Sequence, residues 1–293
     1  MDRVFVVMLA LAAALFAALG IVVRQLATRD VPVEEGMNPA IVLTLLRRPL
    51  WWAGTATAVL GYGCQALALA YGSLILVQPL LVSALLFALP ISARVAHQRV
   101  TGAEWAWAVL LTVGLALFVV VAHPEQSSAG SSVLAWVLAS VILGAVVIAC
   151  IAAATRVLGP RRAVLLAIAV GVMFAMIAVL TKVCTRRFED GGWAALLGNP
   201  APYALVIVGV AATVLQQSAF HAGALQASVP TMLVLEPFVA VLLGALLIGE
   251  QLQVDGPALF LLPFAVAAML AGTVALGRDS GALDERLATS GRA

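Results

Sequence analysis

The chain is poor in charge. Only 10% of its 293 residues are Asp, Glu, Lys or Arg, and Lys182 is the single lysine among the 16 basic residues. Soluble domains carry about 25% charge, so a soluble fold is excluded. Charge is missing altogether from Pro49 to Ala93, and at ~20 residues per crossing that stretch holds two membrane spans. Cysteine is scarce as well. Cys64, Cys150 and Cys184 lie far apart in apolar sequence, which fits neither a disulfide framework nor a metal site. The chain has no HExxH, GxSxG, P-loop or CxxC. No enzyme activity, no ATP coupling of its own and no cofactor are therefore expected. A formal net charge of +2 gives no reason to expect nucleic acid as a partner.

What the chain has is hydrophobic residues, 63% of the total. They fall into nine segments of membrane-spanning length: 4–23, 50–70, 74–93, 104–122, 133–153, 163–183, 203–223, 229–249 and 257–276. The first is longer than the 7–15 residues of a signal-peptide core, so a retained helix is expected. Gly72-Ser73 and Gln226-Ala227-Ser228 are read as tight turns within two antiparallel hairpins. The longest loops are read as 24–49 and 184–202, and residues 278–293 as a polar tail. The predicted fold is an all-α polytopic membrane protein.

The halves share landmarks. Gln65 and Gln217 lie near the end of the first helix of each hairpin. Pro79 and Pro230 follow near the start of the second, Pro49 and Pro200 stand just ahead, and Gln98 and Glu250 close the next helix. Arg24 and Lys182 close the opening helix of each half. Spans 1–4 (residues 1–122) and 6–9 (161–277) are read as a repeat, with span 5 (123–160) linking them. One extra crossing inverts the second copy, an arrangement typical of secondary transporters. Arg24, Arg29, Arg47, Arg48, Arg94, Arg99, Arg156, Arg161, Arg162, Arg278, Arg286 and Arg292 fall on one side. Arg3, Lys182, Arg186 and Arg187 fall on the other. By the positive-inside rule the N-terminus is outside and the C-terminus cytoplasmic, in the plasma membrane of a bacterium.

The run Pro49-Leu-Trp-Trp-Ala-Gly54, followed by Ala68-Leu-Ala-Tyr-Gly-Ser-Leu-Ile-Leu-Val-Gln-Pro-Leu80, resembles the NIPA-type magnesium transporters of the drug/metabolite transporter superfamily. Leu235-Glu-Pro-Phe-Val-Ala-Val-Leu-Leu-Gly-Ala-Leu-Leu-Ile-Gly-Glu-Gln-Leu252 is similar to the EamA-type exporters of the same superfamily. Together the likeness covers most of residues 1–276. It implies the superfamily's fold and a transport function, and leaves the substrate open.

Glu236 is the leading candidate for chemistry. It lies about 10 Å into its span at 1.5 Å per residue. Ionisable groups at such depth usually face a cavity or a partner, and this one could exchange a proton for a substrate. The ordinary alternative is a structural carboxyl that bonds backbone freed near Pro230 or Pro237. Thr213, Gln217 and His221 share one helix face at i, i+4, i+8, with Gln216 adjacent. Thr57, Gly61 and Gln65 form a paler copy, with Gln78 and Ser83 across the hairpin. Such stripes could line a pocket, or merely bond helix to helix. Pro79, Pro230 and Pro237 are candidate helix breaks or hinges. Lys182 and Glu250 end their helices and read as snorkelling or interfacial charges. Trp51, Trp52, Trp105 and Trp107 read as an interfacial belt.

The expectation is a secondary transporter moving a small organic solute, by proton-coupled export with alternating access. Its partners would be that solute, membrane lipid and protons, with a homo-oligomer left open. Mg²⁺ transport is the alternative, with Glu236 as the ligand. A non-transporting assembly or lipid-handling component is the rival from another class.

Overall fold

The computed structural model describes residues 3–28, 49–95, 100–126, 132–221, 225–253 and 258–290. Their order is α1 (Arg3–Thr28), α2 (Pro49–Tyr71), α3 (Leu74–Leu81), α4 (Ala84–Val95), α5 (Gly102–Val121), β1 (His123–Gln126), α6 (Val133–Ala154) and α7 (Pro160–Leu197). α8 (Ala201–His221), α9 (Leu225–Leu243), a π-helical turn (Gly244–Ile248), β2 (Glu250–Gln253) and α10 (Ala258–Ser290) follow. Among the described residues seven helical stretches are long and apolar enough to cross a membrane. The protein is an all-α, polytopic, membrane-embedded chain.

Local chemistry sets the helix starts. Thr101 and Glu104 form a capping box ahead of α5, each side chain bonding the other's backbone N–H. Ser132 caps α6, and Ser73 caps α3 through the Leu76 N–H. Bilayer lipid offers helices no hydrophobic drive to associate, so small residues set how closely they pack. Two helix pairs use glycine from both sides. Gly20 of α1 faces Gly54, Thr57 and Ala58 of α2, and Gly61 of α2 faces Ala13, Phe16 and Ala17 of α1. Gly114 of α5 faces Ala265 and Met269 of α10, and Gly272 of α10 faces Leu111 of α5.

Several boundaries differ from the sequence expectation. The third span is interrupted at Val82-Ser83, where i→i+3 bonds replace the α-helical ladder (Val82 N–H to Pro79 O, Ser83 N–H to Leu80 O). Pro79, which brings no N–H of its own, sits just ahead of this interruption. Gln226, Ala227 and Ser228 are helical and belong to α9 rather than to a turn. α9 runs unbroken through Pro230 and Pro237 to Leu243, so neither proline breaks it. Neighbouring helices can accommodate the freed backbone groups inside a membrane protein. Most of 184–202 is helix rather than loop, as α7 continues to Leu197 across a kink at Gly191-Gly192. Gly192 takes a left-handed φ of 62°, which its missing side chain permits. The polar residues 278–290 are helical and continue α10.

α1 packs on α2, α3 and α4, while α7 packs on α8 and α9; α5 pairs with α10, and α3 meets α9 across the middle. The main buried cluster joins Ala68 and Leu69 of α2, Leu74, Leu76, Val77 and Leu80 of α3, Val172 to Val179 of α7 and Val239 to Leu243 of α9. At one end of the bundle β1 and β2 form an antiparallel ribbon, His123 opposite Gln253 and Gln126 opposite Glu250. The α2–α3 turn, the end of α5 and the end of the π turn all meet there. The Arg3 guanidinium also belongs to this end, bonded to the Val119 and Ala122 carbonyls that α5 leaves free.

Candidate functional site

Glu236 stands on the inward face of α9. Met232, Val239, Ala240 and Leu243 share that face at helical spacing and are buried. Glu236 lies among them yet retains exposed surface. Its carboxylate makes no hydrogen bond or ion pair to another described residue. Close approach of α7 sets its surroundings. A methyl group at Gly171 would lie 3.0 Å from Leu235 Cβ and 3.5 Å from the Glu236 nitrogen, so only glycine lets the two helices come this near. A carboxylate deep in a span that is only partly buried is suited to meeting water, a proton or a cation.

The second polar centre lies about 20 Å further along the same strand of chain, fourteen residues on at 1.5 Å each. Lys182 and Glu250 are both fully buried and form an ion pair of 2.6 Å. The Glu250 carboxylate also accepts the Leu74 N–H at 3.0 Å and the Ile75 N–H at 3.1 Å. These are two of the N–H groups that the first turn of α3 leaves without helical partners, and the positive end of the helix favours an anion there. Lys182 Nζ donates in turn to the Gly72 carbonyl. Next to it, the Thr181 and Tyr62 hydroxyls bond at 2.7 Å.

Each part of this centre has a local cause. Gly249 adopts a left-handed φ of 73°, which turns the chain out of the π turn so that Glu250 enters β2 with its side chain directed inward. A methyl group at Gly244 would lie 3.0 Å from Glu250 Oε2 and 3.1 Å from Leu74 Cβ, so glycine there leaves room for the carboxylate. Burying each charge costs several kcal/mol. The opposite charge, two backbone N–H groups and one carbonyl offset that cost.

The interfacial reading of Lys182 and Glu250 is therefore corrected: each is sealed inside the protein by the other. The remaining candidates divide. Gln78 is buried with its Nε2 unpartnered, as are the Ser83 and Ser228 hydroxyls. Gln65 and Gln216 are half-buried. Thr213 is exposed and donates to the Gly209 carbonyl of its own helix at 2.8 Å. It lies beside the exposed Val210 and Val214, not on the side of the buried Ala212 and Ala219. The side chains of Gln217 and His221 lie outside the described residues. Pro79 is buried in α3, and Pro230 packs against Gly277 of α10. Trp52, Trp105 and Trp107 are exposed, as an interfacial belt requires.

Sequence reasoning missed the ion pair, though a signal was present. The nine-span reading of the sequence already puts the end of span six and the end of span eight on the same side. Lys182 and Glu250 are the opposite charges at those two ends.

No protein-family model and no solved structure matches the chain. It is 35% identical over 279 residues to the uncharacterized protein Cgl0250/cg0304 of Corynebacterium glutamicum, an alignment that spans 95% of this chain and 96% of that one. With that identity along nearly its whole length, the chain belongs to the family of Cgl0250/cg0304.

Proposed function

We propose that the protein is a secondary transporter of the drug/metabolite type, with Glu236 as the carboxylate that trades a proton for a small organic solute. The observation that carries this reading is the exposed surface of Glu236 on an otherwise buried helix face, deep within a span. Carboxylates so placed in membrane proteins mark ion and substrate paths.

The helix packing supports the two-repeat layout, with α2 and α8 counted as crossings to give nine. In each half the opening helix packs on the next two, and the last helices of the halves pack on each other. Pro79 and Pro230 are both the sixth residue of their helices. Inverted repeats of this kind bind substrate near the midplane and expose it to each side in turn. Two contacts favour an outside N-terminus in the plasma membrane. Arg3 and Lys182 bond within the protein, which removes two of the four basic residues that stood against the cytoplasmic majority.

The test is proton release from purified protein in detergent as organic cations are added, followed by solute flux in proteoliposomes. Wild type should release protons on binding, and Glu236→Gln should not. Flux by Glu236→Gln with unchanged pH dependence would show that the coupling role is wrong.

A further inference from the structure

We propose that the Lys182–Glu250 centre is a gate that closes the ribbon end of the bundle in this conformation. The proposal rests on the transport reading above and goes beyond it, because it assigns a role to residues away from Glu236. Four ties meet at this end, and each joins a residue before 127 to one after 180. Glu250 holds the first turn of α3 through two N–H groups. Lys182 holds the Gly72 carbonyl, just ahead of the Ser73 cap of that turn. Thr181 bonds Tyr62 of α2, and β1 pairs with β2. Every one must break or slide if the halves are to separate there.

The chemistry suits a reversible closure better than a permanent seam. A seam between helices in a membrane is most simply made from small apolar residues, as in α5 against α10. Here the contact depends on a pair of charges with bonds to free backbone groups at a helix start. Water can take over each of those bonds when the end opens. The element that would move is already separate: α3 spans only Leu74–Leu81 and is divided from α4 by the Val82-Ser83 interruption. Gln78, one turn behind the tie and buried with an unpartnered amide nitrogen, lies where opening would first admit water. Glu236 lies deeper.

The test is thiol access at Gln78→Cys, in a background with Cys64, Cys150 and Cys184 replaced. A membrane-impermeant methanethiosulfonate reagent is applied to intact cells and, separately, to inverted vesicles. Lys182→Met with Glu250→Gln removes both charges together and leaves no unpaired ion, so the fold is retained. In that double variant the reaction rate from the ribbon side should rise about tenfold or more, as a shift in a two-state population requires. The rate from the opposite side should fall. Tyr62→Phe should move both rates the same way by less.

An unchanged rate in the double variant overturns the gate, and so does an equal rise from both sides, which would mean general loosening. The readout needs no substrate. If proton release and flux fail while access still rises on the ribbon side and falls on the other, the transport reading falls and the hinged closure stands. If flux succeeds and access is unchanged, the gate alone falls.

Discussion

The two charges of the buried pair should not be equivalent. Lys182→Met leaves the Glu250 carboxylate with its two backbone N–H partners at the positive end of α3. Glu250→Gln leaves the Lys182 ammonium facing that same positive end, with only the Gly72 carbonyl and one amide oxygen for company. Breaking a buried pair by removing one partner costs about 3–5 kcal/mol, and replacing both together is often near neutral. Applied here, Glu250→Gln should cost about 4 kcal/mol, Lys182→Met about 2 kcal/mol because two N–H bonds persist, and the double variant about 1 kcal/mol. At roughly 2–4 °C per kcal/mol for a chain of this size, Glu250→Gln should melt about 10 °C below wild type. The assay is size-exclusion chromatography of detergent-solubilised protein after heating at one fixed rate, since such proteins often unfold irreversibly. The deciding quantity is the order of the midpoints: wild type, double variant, Lys182→Met, Glu250→Gln. If Glu250→Gln melts no lower than the double variant, no unpaired buried charge was created and the reasoning fails.

Three glycine predictions use the same assay. Gly244→Val should lower the midpoint by several degrees, about 1–3 kcal/mol, because its side chain would occupy the space of the Glu250 carboxylate and Leu74. Gly272→Leu should destabilise at least as much, since even a Cβ there lies 2.8 Å from Leu111 Cβ. Gly144→Ala should hold or raise the midpoint, because nothing lies within 4 Å of its added methyl and alanine favours helix by about 1 kcal/mol. A loss at Gly144 equal to that at Gly272 would remove the packing explanation for all three.

The helices were legible because membrane spans announce themselves along the chain. Twenty apolar residues between charges need no partner to be recognised, and the segments 50–70, 104–122 and 133–153 fall within a few residues of α2, α5 and α6. Boundaries failed where the cause was not apolar length. Gln226 to Ser228 look like a turn by composition, but the helix has already restarted at Leu225. Residues 184–197 are polar enough to read as loop, yet helix continues there, with Phe188 against Trp193 across the glycine kink. The position of Glu236 along its span can be counted from the chain in the same way.

The Lys182–Glu250 centre was not legible by that count. Distance from a helix end measures depth only if the end lies at the membrane surface. The helix of α7 that holds Lys182 continues to Asp190, just before the Gly191-Gly192 break, so the lysine that seemed to close its helix lies inside a longer one. Glu250 does follow its helix, but the Gly249 turn and the ribbon direct it back into the bundle. Both charges are covered by a segment more than a hundred residues away in sequence, the first turn of α3 and the Gly72 carbonyl ahead of it. Hydropathy along one segment cannot see that cover. What could have predicted it is parity: in the nine-span reading, Lys182, Glu250 and the Gly72-Ser73 turn fall at one end. A cation, an anion and an open helix start at a common depth have more favourable partners in each other than in lipid.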